Sequence, residues 1–312
     1  MFFFHEDLDM AMQRTMRFGL VSAALLMWTG ATQAQEYETK VVARDLLRPT
    51  GIAADSAKKI YFTQLPTPGI NGAKGGKNTV SVLNSRNGKV VDLVTGEPEP
   101  TNLSVDFFGE VYWTCKTAGV INSLNRKGKV ETVLRGLDKP SGISVYPLGV
   151  FLLYTEVPTP GVRGSDGGRN TVSIALVNGS LDSPIDSGDP EPTDVAVALN
   201  GDVYWTCSSA GVIVRKSGDS TAVILRDLER PTGIALDHAG NLYFTEVPTP
   251  GVNGANGGRN AVYKYNLKAK SLIAIDEGDP EPTDITALSD GTVYWTCSSA
   301  GVIVEAKLKP KR

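Results

Sequence analysis

The sequence predicts an all-β protein, a six-bladed β-propeller built as three pseudo-repeats of a two-blade unit, with the N-terminal strand closing the last blade. Three observations carry this. First, whole phrases recur. "YFTQLPTPGINGAKGGKNTV" (61–80), "YTEVPTPGVRGSDGGRNTV" (154–172) and "YFTEVPTPGVNGANGGRNAV" (243–262) are copies of one another, and so are "VYWTCKTAGVIN" (111–122) and "VYWTCSSAGVIV" (203–214 and 293–304). Pro49, Pro140 and Pro231 stand 91 residues apart. Second, each repeat divides into two similar halves of about 45 residues, six in all. One half reads P-[TS]-G-I, then Y-[F]-T-[EQ]. The other reads P-T-[DN], then YWTC and AGVI. Third, each half contains four short stretches rich in β-branched and aromatic residues, and no segment keeps a helical period.

In chain order, the N-terminus comes first. Arg14 and Arg17 precede an apolar run from about Phe18 to Trp28, followed by small residues. That pattern predicts a signal peptide over 1–34 and export to the periplasm or the medium. "MFFFHEDLD" is unlike a signal n-region, so the start is expected at Met10 or Met12. The apolar run is too short for a membrane span, and none is expected after cleavage. Residues 35–312 then form a single propeller domain.

Closure follows next. The last unit ends in "GVIVEAKLKPKR", which supplies only a third strand. "YETKVVARDLLRPTG" (37–51) matches "STAVILRDLERPTG" (220–233). The strand at about 38–46 is therefore expected beside about 301–308, leaving no open blade edge at the seam.

At these residues the chain resembles known families. "RPTGIALDHAGNLYFTE" looks like an NHL repeat. "VYWTC" is similar to the YWTD repeat of receptor propellers, with cysteine in place of aspartate. Both families are six-bladed, as is the senescence-marker-protein/gluconolactonase family. The resemblance implies architecture over 37–308. Its gluconolactonase branch implies a divalent cation, Ca²⁺ or another, held by Glu, Asn and Asp at the channel mouth.

Strand order places "DPEPTD", "RPTG", "YWTCSSAG" and the loops "PTPG[VI]xGxxGG[RK]N" on one face, and the turns "DHAGN" and "ALNGD" on the other. The three glycine-rich loops would wall a pocket on the first face. Long loops on a rigid scaffold commonly carry binding. At the mouth, Thr50, Thr101, Ser141, Thr193, Thr232 and Thr283 form a candidate ring of hydroxyls. Asn102, Asp194 and Asp284 alternate there with glycines. Gln64, Glu156 and Glu246 end the second strands of the intervening blades. Asp194, Asp284, Glu156 and Glu246 form an all-oxygen candidate set for a hard cation. The alternative is structural pairing of these acids with Lys77, Arg169, Arg259, Arg48, Lys139 and Arg230, or a rim for protein docking. Glu97, Glu99, Asp189, Glu191, Asp279 and Glu281 read as solvated loop charge.

Cys115, Cys207 and Cys297 end the second strands of alternate blades. At about 12 Å from the axis, three such positions lie about 20 Å apart. A disulfide needs Cα atoms within about 7 Å, and a shared zinc needs sulfurs about 2.3 Å from the metal. Separate, buried structural thiols are therefore expected.

Net charge is −3, from 31 Lys+Arg and 34 Asp+Glu, so no nucleic-acid partner is advertised. Only His5 and His238 occur, which argues against histidine-based catalysis. The first functional expectation is an exported, monomeric binding propeller that takes a small molecule or protein on its loop-rich face. The alternative is a divalent-metal-dependent lactone or ester hydrolase, with a strictosidine-synthase-type cyclase a distant third.

Overall fold

The computed structural model describes residues 37–66, 77–84, 88–146, 148–158, 170–248 and 260–309. Within them lie six four-stranded antiparallel sheets and no α-helix. The chain is a six-bladed β-propeller. The expected signal segment, most of the three glycine-rich loops, Arg169 and Arg259 lie outside the described residues. Among the described residues no helix is long and apolar enough to cross a membrane.

The first, innermost strands are Pro49–Ala54, Pro100–Val105, Pro140–Val145, Pro192–Val197, Pro231–Leu236 and Pro282–Ala287. Each pairs with a second strand: Lys59–Gln64, Val111–Cys115, Phe151–Glu156, Val203–Cys207, Asn241–Glu246 and Val293–Cys297. Blades one to five take four consecutive strands each. Blade six is closed by Tyr37–Ala43, which pairs antiparallel with Val302–Leu308 from Tyr37↔Leu308 to Val41↔Val304. A further bond from the Leu46 N–H to the Gly301 carbonyl (2.9 Å) extends that seam.

Strand side chains alternate between the two faces of a blade, so each blade packs on both neighbours. The six apolar clusters are the six blade–blade interfaces. Trp113 packs with Ala53 and Tyr61 of blade one, Trp205 with Leu153 of blade three, and Trp295 with Tyr243 of blade five. All three indoles are fully buried. At about 25 cal/mol/Å² over roughly 200 Å², each contributes up to about 5 kcal/mol. The other three interfaces carry no tryptophan and pair Phe62 with Tyr294, Tyr112 with Tyr154, and Tyr204 with Phe244. The three-fold repeat of blade pairs is thus expressed in the core.

One irregularity positions the site. In every blade the register shifts just after the leading proline of the first strand, for example between Pro192 and Asp194 or Pro231 and Ile234. There the buried threonine of the second strand replaces the ladder. Thr206 Oγ1 accepts the Asp194 N–H (3.1 Å) and donates to the Thr232 carbonyl of the next blade (2.7 Å). Thr296 does the same for Asp284 (3.2 Å) and Thr50 (2.7 Å). A bulge re-aims side chains, and this one turns the third residue of each first strand toward the axis.

Candidate functional site

Three of the sequence-predicted residues meet on the axis: Asn102 of blade two, Asp194 of blade four and Asp284 of blade six. Asn102 Nδ2 donates to Asp194 Oδ1 at 2.9 Å, although 92 residues separate them. The Asp194 and Asp284 carboxyl groups interact directly with each other. Each carboxylate also receives backbone donors. Ile234 N–H (2.9 Å) and Val195 N–H (2.8 Å) reach Asp194, while Ile52 N–H (2.7 Å) and Ile285 N–H (2.8 Å) reach Asp284. Both acids are almost wholly buried, at 4% and 5% exposure.

Glycine makes this convergence possible. A Cβ on Gly142 would lie 2.5 Å from the Asp194 Cα, and one on Gly233 would lie 2.6 Å from that of Asp284. Gly51 stands in the same relation to Asn102, at 2.7 Å. The alternation of glycine and Asx around the ring is therefore steric: each Asx backbone occupies the space of its neighbour's missing side chain.

Burial raises both acids above the ordinary aspartate value. For Asp284 the neighbouring Asp194 charge is the next cause. Asp194 is pushed up to about 7. Two carboxylates in contact cannot both ionise cheaply, so the pair retains a shared proton. The channel encloses about 130 Å³, walled by the first strands from the Asx level to their far-face ends. That is room for about four waters or a small ion with part of its shell.

The other predicted mouth residues are elsewhere engaged, and the four-acid set is not assembled. Glu156 Oε1 accepts the Asp138 N–H (2.6 Å), Glu246 Oε1 the Glu229 N–H (3.0 Å), and Gln64 Oε1 the Leu47 N–H (2.8 Å). Each caps the backbone two residues before its own blade's leading proline. They sit on the second strand, one spacing out from the axis, and aim at the entry loop. Among the described residues no group of three or more His, Cys, Asp or Glu could hold a metal ion.

The hydroxyl ring is committed to local bonds rather than presented to the mouth. Thr50 and Thr232 pair with Thr63 and Thr245 (2.8 Å each), and Thr101 with Thr114 (2.9 Å). Ser141 donates to the Thr193 carbonyl (2.9 Å). Thr193 and Thr283 donate to the Glu191 and Glu281 carbonyls (3.1 Å each). Of the basic residues expected to pair with the acids, Lys139 instead donates to the Pro158 carbonyl at 2.8 Å.

Cys115, Cys207 and Cys297 are free and fully buried. Their surroundings correct the reading of the loop acids as solvated. Glu97 Oε2 accepts Trp113 Nε1 (2.8 Å), Cys115 Sγ (3.3 Å) and Asn122 Nδ2 (2.9 Å). Asp189 Oδ2 accepts Trp205 Nε1 (2.6 Å) and Cys207 Sγ (3.6 Å), and Asp279 Oδ2 accepts Trp295 Nε1 (2.7 Å) and Cys297 Sγ (3.6 Å). Glu99, Glu191 and Glu281 accept the hydroxyls of Thr117, Ser209 and Ser299. Burial pushes all three thiols up, with the adjacent carboxylate the next cause. Such thiols are inert.

Odd and even blades therefore exchange donor and acceptor. In odd blades the second strand ends in an acceptor and the entry loop supplies an N–H. In even blades the loop supplies a carboxylate and the strand ends in a thiol donor. An aspartate in the cysteine position would set two carboxylates together. The missed signal was spacing: acid and thiol stand 18 residues apart in every copy.

No family model matches the chain. Among solved structures it is similar to a gluconolactonase from Xanthomonas campestris, with a TM-score of 0.68 and 13% identity over 88% of this chain and 90% of that one. It is also similar to a streptogramin B lyase (TM-score 0.58, 16% identity, 88% and 98% covered). A chain of the nidogen/laminin complex matches with TM-score 0.59 and 15% identity, covering 74% and 80%. At these identities the likeness is one of fold, that of a six-bladed β-propeller.

Proposed function

We propose that the protein is an exported binding propeller whose axial cluster takes a hard divalent cation, Ca²⁺ foremost, between Asp194 and Asp284, with Asn102 as third donor. The observation that carries this is the contact of two buried carboxylates at the axis of a channel. Their repulsion is relieved by a proton or by a cation. Two carboxylates and one carboxamide oxygen are the donor types a hard cation selects, and the channel has room for waters to complete its shell. Asn102 joins such a set by rotating its amide so that Oδ1 replaces Nδ2, a change that exchanges isosteric groups. The loop-rich face above the channel is the natural place for a small organic ligand or a partner.

A lactone or ester hydrolase is the second reading, favoured by the likeness to a gluconolactonase. It requires the same cation, and a carboxylate outside its coordination to manage the proton.

Metal content of the purified chain and its melting temperature with and without Ca²⁺ test the proposal. The expected result is a calcium-dependent rise in melting temperature that Asp194→Asn abolishes. No rise in the wild-type protein at pH 8 overturns it. Lactone turnover that needs metal and disappears in the same variant would favour the hydrolase.

A further inference from the structure

We propose that the far face carries a second, separate site: a groove between blades one and two that binds a planar aromatic anion. It stands independently of the axial cation. The groove encloses about 700 Å³, within the range of small-molecule sites. Its apolar walls include Val91 and Leu93 of the outer edge of blade one and Phe107 and Phe108 in a turn of blade two. These side chains are exposed, Phe107 by 68% and Phe108 by 50%. The two rings stand edge to face, with centroids 5.7 Å apart and planes at 84°, so they offer perpendicular surfaces to a flat ligand.

The polar part of the groove is cationic. Arg126 places its guanidinium carbon 5.9 Å from the Phe108 centroid, and Lys59 and Lys89 line the same space. The one acid there, Asp55, is engaged internally: it accepts the Ala57 and Lys59 N–H groups (2.9 Å each) and the Tyr61 hydroxyl (3.2 Å). Arg126 and Lys59 beside one occupied carboxylate select an anion, and the aromatic wall selects a ring.

Departure from the repeat points the same way. The positions of Phe107 and Phe108 are Leu199 and Asn200 in the second repeat and Ser289 and Asp290 in the third. There the turns are closed on themselves or their neighbours: Asn200 bonds Asp202 at 3.0 Å, and Asp290 pairs with Lys58 at 2.6 Å. The turn that bears Arg126 is also longer. The equivalent bonds Leu137 N–H to Gly119 and Leu228 N–H to Gly211 close segments that differ by one residue. The first repeat closes its turn through Asp106, which accepts the Glu110 N–H (2.9 Å), and so leaves the two aromatic rings and Arg126 to face the groove.

The probe is 8-anilinonaphthalene-1-sulfonate, titrated by fluorescence and calorimetry against the full chain. The variants are Phe107→Ser/Phe108→Asp, which installs the pair the third repeat carries, and Arg126→Gln. Leu199→Ser in the second repeat is the control. The expected result is one bound probe per chain, binding weakened about tenfold or more in the double variant, and a smaller salt dependence in Arg126→Gln, with melting temperatures unchanged. Undiminished binding in the double variant overturns the proposal. Equal affinity for uncharged N-phenyl-1-naphthylamine overturns its anionic part. A wild-type dimer in sedimentation equilibrium that the double variant dissociates assigns the groove to a second copy instead.

Discussion

Asp194 and Asp284 are predicted to make stability fall as pH rises, the reverse of a salt-bridged carboxylate. Burial, and for Asp284 next the Asp194 charge, holds both above the ordinary aspartate value in the folded chain. The folded state then binds protons more tightly than the unfolded state. The stabilisation is complete below the unfolded value and is lost as pH rises through the folded one. For Asp194 the rise from 3.8 to about 7 corresponds to about 4 kcal/mol at 1.36 kcal/mol per pH unit. The loss accumulates between about pH 4 and pH 7. The perturbation is Asp194→Asn/Asp284→Asn, which keeps shape and removes both titrations. Each amide turns one N–H against a backbone donor, at a cost of about 1–3 kcal/mol that is independent of pH. The assay is urea unfolding at half-unit steps from pH 5 to pH 8 in the presence of a chelator. Asp276, also pushed up to about 7 by burial and by Asp279, adds a slope of the same sign to both proteins. The wild type is therefore expected to lose about 3 kcal/mol more than the variant across the window, the part of the Asp194 loss that falls above pH 5. Parallel profiles would refute the shared-proton account.

Other consequences follow from the same contacts. A thiol reagent is expected to leave Cys115, Cys207 and Cys297 unmodified in the native protein and to titrate all three in denaturant; fast native labelling would contradict their burial. Cys207→Ser is expected to cost about 1 kcal/mol or less, whereas Cys207→Asp, set against Asp189, should cost about 3 kcal/mol at pH 7 and less at pH 5. Unfolding curves at the two pH values check this. Deleting residues 36–47 strips the outer strand from blade six and is expected to abolish cooperative melting; a monomeric deletion that melts normally would refute the seam.

The propeller was legible because its signals repeat: proline, YWTC and the strand spacing recur in register, and the N-terminal strand matches its internal counterparts. The site was legible only by half. Counting along strands brings Asp194 and Glu246 to the same rim, and nothing in the letters marks the bulge that sends one to the axis. Glu246 instead turns to its own entry loop because it sits one strand further out. Thr50, Thr101, Thr193, Thr232 and Thr283 share one letter, yet Thr50, Thr101 and Thr232 bond the threonine of their own second strand while Thr193 and Thr283 donate to an entry-loop carbonyl. Glu97 and its equivalents looked solvated from their proline-rich setting, although the constant 18-residue spacing to a buried thiol already tied them to the core.

Calorimetric titration with CaCl₂ at pH 6 and pH 8, in buffers of different ionisation enthalpy, tests the axial site most directly. The account predicts one Ca²⁺ per chain, tighter binding at pH 8, release of about one proton at pH 6, and no binding in Asp194→Asn/Asp284→Asn. Binding that is unchanged in that variant, or no calcium heat from the wild type at either pH, would contradict it.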